Sequence, residues 1–363
     1  MALQTSGAIS LNEIHVEAGG SSGSSATIND TDIRALISKN SGAVMAFGEW
    51  YGASSFGPPT TMTGSLWGSR AFWTGGYSAT SPTGRYNYIQ YNSIASPSST
   101  CGDFGNIYTP AQGGSALTNG ARIVNASSAG SNYGNKIEYW AAATLGNGTD
   151  FGDLSLSRGF CATANKTNGL GIFFGGSQGL SNKNTIDYIW TQTTGNATDF
   201  GDATSNRDQR GGCSSTAGRA VVGGGGYYTN RIDYKDMATT GNASYFGTLS
   251  GGNREGVSAM HNGSRAIFGG GKSNNTTYHN NMTYVTMAST GNSSNFGNLI
   301  QTASMRSGTS NGSRGVSGGG FRFSGGAYSY NTIDYVTIAS TSNASDHSDL
   351  FQTVHGMGCS SGA

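Results

Sequence analysis

Charge is what this chain lacks most. Asp, Glu, Lys and Arg make up only 11% of its 363 residues, and they sum to a net charge of +1. Nucleic-acid binding by counterion release needs a dense Lys/Arg surface; no run of such residues occurs, so nucleic acid is excluded as a partner. No stretch of about 20 apolar residues occurs, which excludes insertion into a membrane as a helix. The opening MALQTSGAISLNEIHVEAGG has neither the basic nor the apolar region of a secretory signal. Proline is limited to 5 residues and glycine does not recur at every third position, so the 60 glycines do not build collagen. Four cysteines (Cys101, Cys161, Cys213, Cys359) are too few and too scattered to staple a chain of this size, and none belongs to a CxxC pair.

Aromatic residues are not scarce. With 18 Tyr, 15 Phe and 5 Trp spread along the chain, disorder is a poor reading of the glycine content. Many short strands joined by glycine turns is the better one. A repeat supports it. Phe-Gly recurs at Phe56, Phe104, Phe151, Phe200, Phe246 and Phe296, with His347-Ser348 in the next slot, at intervals of 46 to 51 residues. A tyrosine follows in step: Tyr91, Tyr139, Tyr188, Tyr234, Tyr284 and Tyr335. Two markers holding one phase over six units define the repeat.

Repeat four shows the grammar of a unit. RGGCSST reads as strand a and GRAVVGG as strand b. RIDYKDMA, which alternates, reads as strand c, TTGN as a turn, and ASYFGTL as strand d. Four strands in about 48 residues is the period of a propeller blade. A Gly pair closes strand b at Gly75-Gly76, Gly175-Gly176, Gly223-Gly224, Gly269-Gly270 and Gly318-Gly319. With the strand-c Tyr and the strand-d aromatic, this pattern resembles the kelch repeat over residues 56–363. It departs from kelch in carrying Phe where kelch has Trp, His347 in the last repeat, and Ser128 to Gly130 in place of one Gly pair. Repeat one is short of a strand a, and the terminal HGMGCSSGA matches RGGCSST. Residues 355–362 are therefore expected to supply that strand. The expectation is an all-β chain: a six-bladed kelch-like propeller over 54–363, closed by a C-terminal strand.

Residues 1–53 lie outside the repeat. SLNE at Ser10 to Glu13 has capping-box spacing, with Ile14 and Val16 following. INDTDIRALISK predicts a short helix capped near Asn29 or Asp30, with Ile33, Leu36 and Ile37 on one face. GGSSGSS between them reads as a flexible linker, and FGEWYGASS, containing Trp50, leads toward blade one. The pieces SGAISLNEIHVEAGG, INDTDIRALISKNSGA and FGEWYGASS resemble the N-terminal segment of virion structural proteins of tailed bacteriophages, especially those of marine and cyanobacterial hosts. The resemblance implies a virion location and several copies in a particle. It also implies attachment to other virion proteins through Ile14, Val16, Ile33, Leu36, Ile37 and Trp50; the alternative is a plug packed on the propeller.

Residues that could carry chemistry repeat in register, which speaks for structure rather than catalysis. Asp103, Asp150 and Asp199 flank the anchor Phe, and Glu138, Asp187, Asp233 and Asp334 flank the strand-c Tyr. A glycosidase pair would stand out from the repeat. His261 and His279 share a repeat without ligand spacing, so no metal and no cofactor is expected, and no enzyme. Cys161, Cys213 and Cys359 read as one column of buried small residues on strand a. Arg158, Arg210 and Arg306 recur near the start of strand a, either as blade-to-blade hydrogen bonds or as a basic ring for an anionic glycan. Asn196, Asn242, Asn292 and Asn343 fall at the c–d turn, where turn preference accounts for them.

The b–c connections differ from repeat to repeat, and alternating strand direction puts them on one face with the d–a loops. They carry Tyr77, Tyr227, Tyr228, Tyr278, Phe321, Phe323, Tyr328 and Tyr330 among Asn, Ser and Gly, the chemistry of adaptable contact surfaces. The expectation is a phage tail fibre, tail tip or baseplate protein whose varied face meets a host-surface glycan or receptor. A purely structural virion part and a cellular kelch-like protein-binding adaptor are the alternatives.

Overall fold

A computed structural model describes residues 3, 9–18, 21–37, 39, 43–46, 50, 64–98, 100–126, 134–208 and 211–363. The chain falls into two compact units. Residues 1–60 belong to the smaller, and residues 61–237 and 241–363 form the larger.

In the smaller unit, helix α1 (Leu11–Glu17) begins with the capping box that its sequence spells: Glu13 N–H donates to Ser10 Oγ at 3.2 Å, and Ser10 N–H to Glu13 Oε2 at 2.6 Å. Helix α2 (Thr31–Ala35) starts after Asp30, but that carboxylate turns back to Thr27 N–H and Oγ1 instead of capping the helix. Ile14, Ile33 and Trp50 are fully buried together with Leu3, and Leu36 and Ile37 pack against them. Trp50 Nε1 donates to Ile33 O at 3.2 Å. The expected linker is in part tied down: Gly23 N–H donates to Asn12 Oδ1 and Ser24 Oγ meets His15 Nε2, both partners on α1. Composition alone could not reveal them. Most of FGEWYGASS, the first Phe-Gly slot at Phe56 and the Ser128 to Gly130 variant lie outside the described residues.

The larger unit is a six-bladed β-propeller. Each blade is a four-stranded antiparallel sheet in the order a-b-c-d. Blade four, for example, runs Gly211–Ser214, Arg219–Gly223, Arg231–Asp236 and Ser244–Thr248, the division its sequence predicts. Blade one takes its strand a from the C-terminus: Gly358–Gly362 pairs antiparallel with Arg70–Thr74, in the register Arg70 to Gly362 and Thr74 to Gly358. Residues 355–357 precede that strand as part of a d–a loop.

Backbone geometry explains the Phe-Gly marker. In every blade the register between strands c and d slips by one residue, as between Ile186↔Gly201 and Asp187↔Asp199, so that Phe200 is the bulged residue. Phe104, Phe151, Phe246, Phe296 and His347 hold the same place. A bulge re-aims its side chain, and these five phenylalanines are at most 3% exposed. The strand-c Tyr meets each ring edge-on, or tilted in the case of Tyr188 and Phe200, at centroid distances of 5.6 to 6.1 Å. Behind the ring, the following glycine lies against the c–d turn of the next blade, where a Cβ on Gly201 would strike Gly241 O. Gly241 N–H donates to Phe200 O at 2.7 Å, and Asn242 Oδ1 accepts from Asp202 N–H at 2.9 Å. The recurrent Gly-Asn turns are thus inter-blade contacts as well as turns; Asn196, Asn292 and Asn343 repeat the bond.

The arginine that opens strand b completes five of the six joints. Arg219 lies 4.4 Å from the Tyr234 ring and donates to Met287 O and Ala288 O of blade five. Arg70, Arg122, Arg265 and Arg314 do likewise toward blades two, three, six and one. Leu170 takes this position in blade three. The joint between blades six and one uses different residues on both sides. His347 Nε2 donates to Ser93 O at 2.8 Å, Asn92 Nδ2 donates to Ser348 Oγ, and Asn92 Oδ1 accepts from Trp73 Nε1. The two departures from the repeat, His347-Ser348 and the missing Gly-Asn after Tyr91, face each other at the seam where the ring closes.

Candidate functional site

Loops bring the varied residues together at one end of the propeller. The b–c and d–a connections share that end and pair with one another: Tyr77 with His355, Ser177 with Gly159, Thr229 with Arg254, Phe321 with Ser304. Two b–c connections grow into hairpins, Tyr77–Ser78 with Gly84–Arg85 in blade one and Phe321–Phe323 with Ala327–Ser329 in blade six.

Six of the eight candidate residues separate into two groups, and Tyr228 and Tyr330 stand apart from both. Tyr278, Phe321 and Tyr77 join through His355 in a row that crosses blades five, six and one. Successive ring centroids along it are 6.3, 4.9 and 5.4 Å apart. Arg85 adds a cation 6.0 Å from the Tyr77 ring. The row is half-buried and cross-braced: Ser329 Oγ meets His355 Nδ1 at 3.0 Å and accepts from Ala79 N–H, and Ser329 N–H donates to Thr80 Oγ1. Burial pushes the His355 imidazole down to about 4, so it is neutral near pH 7. The exposed group is Tyr227, Phe323 and Tyr328, at 75%, 54% and 49%. Tyr228 is half-buried and donates to Asn275 Oδ1 at 2.7 Å. Tyr330 is half-buried beside its backbone bond to Gly320 O. Sequence reading missed His355, taken for strand a; its departure as HGMG from the RGGC pattern was the available signal.

In the smaller unit, Ile14, Ile33 and Trp50 are interior, whereas Val16 is 44% exposed. Of the six attachment candidates, those three hold their own unit together, and Val16 is open to a partner.

Between the blades runs a central channel. The inner strands approach closely because their residues are small: a Cβ on Gly212 would strike Thr163 O, and one on Gly308 would meet Ala259 O at 2.5 Å. About 600 Å³ of empty space, including solvent at the mouth, is lined by residues such as Ser115, Thr163, Ser258, Ser307 and Cys359. At the varied end a chain of backbone bonds runs around the mouth past five of the six blades: Phe160 to Gly113, Gly113 to Gly356, Gly356 to Met305, Met305 to Gly256, each N–H to O at 2.7 to 3.0 Å. The other end carries residues 64–69, a strap the sequence did not announce. Gly64 N–H donates to Thr167 O, Ser65 N–H to Asn119 O and Gly68 N–H to Ser361 Oγ. The Trp67 ring lies 5.8 Å from that of His261 and over Gly312.

Two sequence readings are corrected. The arginines near strand a are not a basic ring. Arg158 and Arg306 are fully buried, paired with Asp187 and Asp334 at 3.0 and 3.2 Å. Arg207, not Arg210, takes the equivalent place beside Asp233; Arg210 lies outside the described residues. Each pair joins a d–a loop to strand c of the same blade, so it is not a blade-to-blade bond either. The cysteines do not form one column. Cys213 stands opposite Val221 and Cys359 opposite Trp73, one register position earlier, while Cys161 precedes its strand. Cys161 and Cys213 are buried as read, whereas Cys359 is only partly buried and lines the channel. Burial pushes the Cys101 thiol up to about 12 and those of Cys213 and Cys359 upward too, away from the thiolate that nucleophilic chemistry needs. The strand-c carboxylates also receive loop donors: Ser155 N–H and Oγ to Asp187, Thr204 Oγ1 to Asp233, Ile300 N–H to Asp334.

No family model matches this chain, and no curated protein does. Among solved structures, that of YjhT is similar in fold, with a TM-score of 0.57 over 69% of this chain and 87% of that one. Sequence identity is 12%, so the likeness speaks for the fold alone.

Proposed function

We propose that the chain is a non-enzymatic virion protein of a tailed bacteriophage, with a kelch-like propeller whose varied end binds a host-surface glycan. The observation that carries this reading is the distribution of aromatic rings. Tyr227, Phe323 and Tyr328 stand exposed on b–c loops at one end, while the opposite end is built of near-uniform Gly-Asn turns committed to inter-blade bonds. Rigid aromatic rings among Asn, Ser and Gly suit contact with sugars at low entropic cost. The strap at residues 64–69 crosses the channel at the uniform end. Fold does not settle function, so the N-terminal resemblance supplies the particle.

The second reading is a purely structural virion part. It draws on Tyr278, Phe321 and Tyr77, whose rings already serve contacts between blades.

The test applies labelled full-length protein to intact cyanobacterial cells and to an array of neutral and anionic oligosaccharides. Host binding that falls at least about tenfold when Tyr227, Phe323 and Tyr328 are changed to Ala is the expected result. Binding to no cell and no oligosaccharide by the folded chain favours the structural part. Release of sugar products would make it an enzyme instead.

A further inference from the structure

We propose that Tyr227 is the principal saccharide-contact residue of the varied face, presented to a neutral sugar by a backbone strained for that purpose. The inference rests on the glycan-binding reading above and assigns its contact residue and ligand charge.

Among the described residues left-handed backbone belongs to glycine, which accounts for 31 of the 36 residues of positive φ; the other five are Phe160, Tyr227, Tyr228, Met305 and Ala363. An L-residue there crowds its Cβ against the following carbonyl. Such strain persists only where the surroundings hold it, and it gathers at functional positions. Four of the five have a structural return. Phe160 and Met305 donate their N–H groups to the chain of backbone bonds around the channel mouth. Ala363 is the last residue, and its carbonyl accepts from Ser69 N–H. Tyr228, at φ 51°, donates to Asn275 Oδ1 of blade five and lies 5.7 Å from Lys272 Nζ.

Tyr227, at φ 63°, has no such return. It is 75% exposed, and among the described residues its ring has no hydrogen bond, ion pair or aromatic partner. The turn beneath it is pinned on both sides: Gly226 N–H donates to Asp208 O and Gly225 N–H to Arg254 O, at 2.8 and 2.9 Å. The tyrosine is therefore held rigidly in a conformation that glycine would adopt without strain, and its side chain does nothing for the fold.

The surroundings indicate what the ring would meet. An exposed phenol face offers a flat apolar surface to the C–H face of a pyranose. Asn275, exposed and three residues from Lys272, spends Oδ1 on Tyr228 and keeps its amide N–H groups for a sugar hydroxyl. Lys272 is paired with Glu255 at 3.4 Å, and Arg207 and Arg254 below the turn are buried, so among the described residues the turn itself offers an anion no free cation. These features select a neutral saccharide.

The experiment uses the full chain. Wild type, Tyr227→Gly and Tyr227→Phe are compared on the array of neutral and anionic oligosaccharides, and the strongest neutral binder is then titrated. Tyr227→Gly is expected to weaken binding at least about tenfold while raising the melting temperature by roughly 1–3 °C, because relief of strain and loss of contact occur together. Tyr227→Phe keeps the ring and is expected to stay within about threefold of wild type. If Tyr227→Gly binds as wild type does, or if wild type prefers anionic oligosaccharides, this inference falls while the glycan-binding face stands. A lower melting temperature for Tyr227→Gly overturns the strain argument. If wild type binds no oligosaccharide, both fall.

Discussion

Three of the six blades bury an arginine against a strand-c carboxylate, and a fourth buries the arginine alone. In blade five Thr283 takes the register position of Asp233, opposite Phe268 as Asp233 is opposite Val222. Arg254 donates to Asn281 O and Ser250 O but has no ion pair among the described residues. Burial pulls its guanidinium down to about 10. An uncompensated buried charge is costly, so Thr283→Asp should stabilise the protein by roughly 1–3 kcal/mol; the denaturant midpoint reads it, and a decrease would show that the carboxylate cannot reach the guanidinium. His355 sets a pH dependence at the same scale. Its folded pKa of about 4 lies below the ordinary 6.5, so both states are neutral at high pH and the unfolded chain takes the proton first as pH falls. Stability should therefore drop from about pH 6.5 to about pH 4 and level off below. This imidazole, 4% exposed, contributes on the order of 3 kcal/mol to that drop. Melting curves across the range should flatten in His355→Asn; an unchanged slope would mean that other groups carry the effect.

Within a blade, each part of the Phe-Gly marker has its own task. The Phe occupies the bulge and fills the core, and the Gly lets the next blade's turn approach. At Gly201 both space and backbone forbid a side chain, since φ is 131° and Gly241 O occupies the Cβ position. Gly201→Ala should cost roughly 2 kcal/mol or more, measured by denaturant unfolding; a neutral result would mean that the joint between blades three and four is loose. That joint also lacks the strand-b arginine, because Leu170 replaces it. The strands themselves were legible in the sequence, since the period of two, the Gly pairs and the turn dipeptides all act locally. The bulge was not. Nothing in TDFGD shows that Phe200 is left out of the ladder until strands c and d are aligned.

Over the whole propeller, closure depends on a strand 288 residues from its partner, Gly358 against Thr74 at the near end of the pairing being 284 apart. The seam adds His347 to Ser93 and Ser329 to His355 and Thr80, and Arg314 reaches Ala95 O at 2.8 Å. A chain ending at Met357 would expose the edge of Arg70–Thr74 and leave its N–H and C=O groups unpaired. Calorimetry should show loss of the single cooperative transition, with aggregation. Retention of the wild-type transition would mean that the ring is closed without its terminal strand.

The number of blades, their four strands and the C-terminal closure were determined by the sequence itself, because each is written as a repeated local pattern or as the one piece missing from it. Tertiary structure alone decided which polar residues neutralise one another. Arg158 and Asp187 are 29 residues apart, and only the folded blade turns a possible basic ring into buried ion pairs. It also decided the register that separates the cysteines, the strap that carries Trp67 across the channel, and the division of the varied aromatics into a braced row and an exposed set. These are relations between side chains brought together by folding, and a local pattern carries no record of a partner that it meets only across the ring.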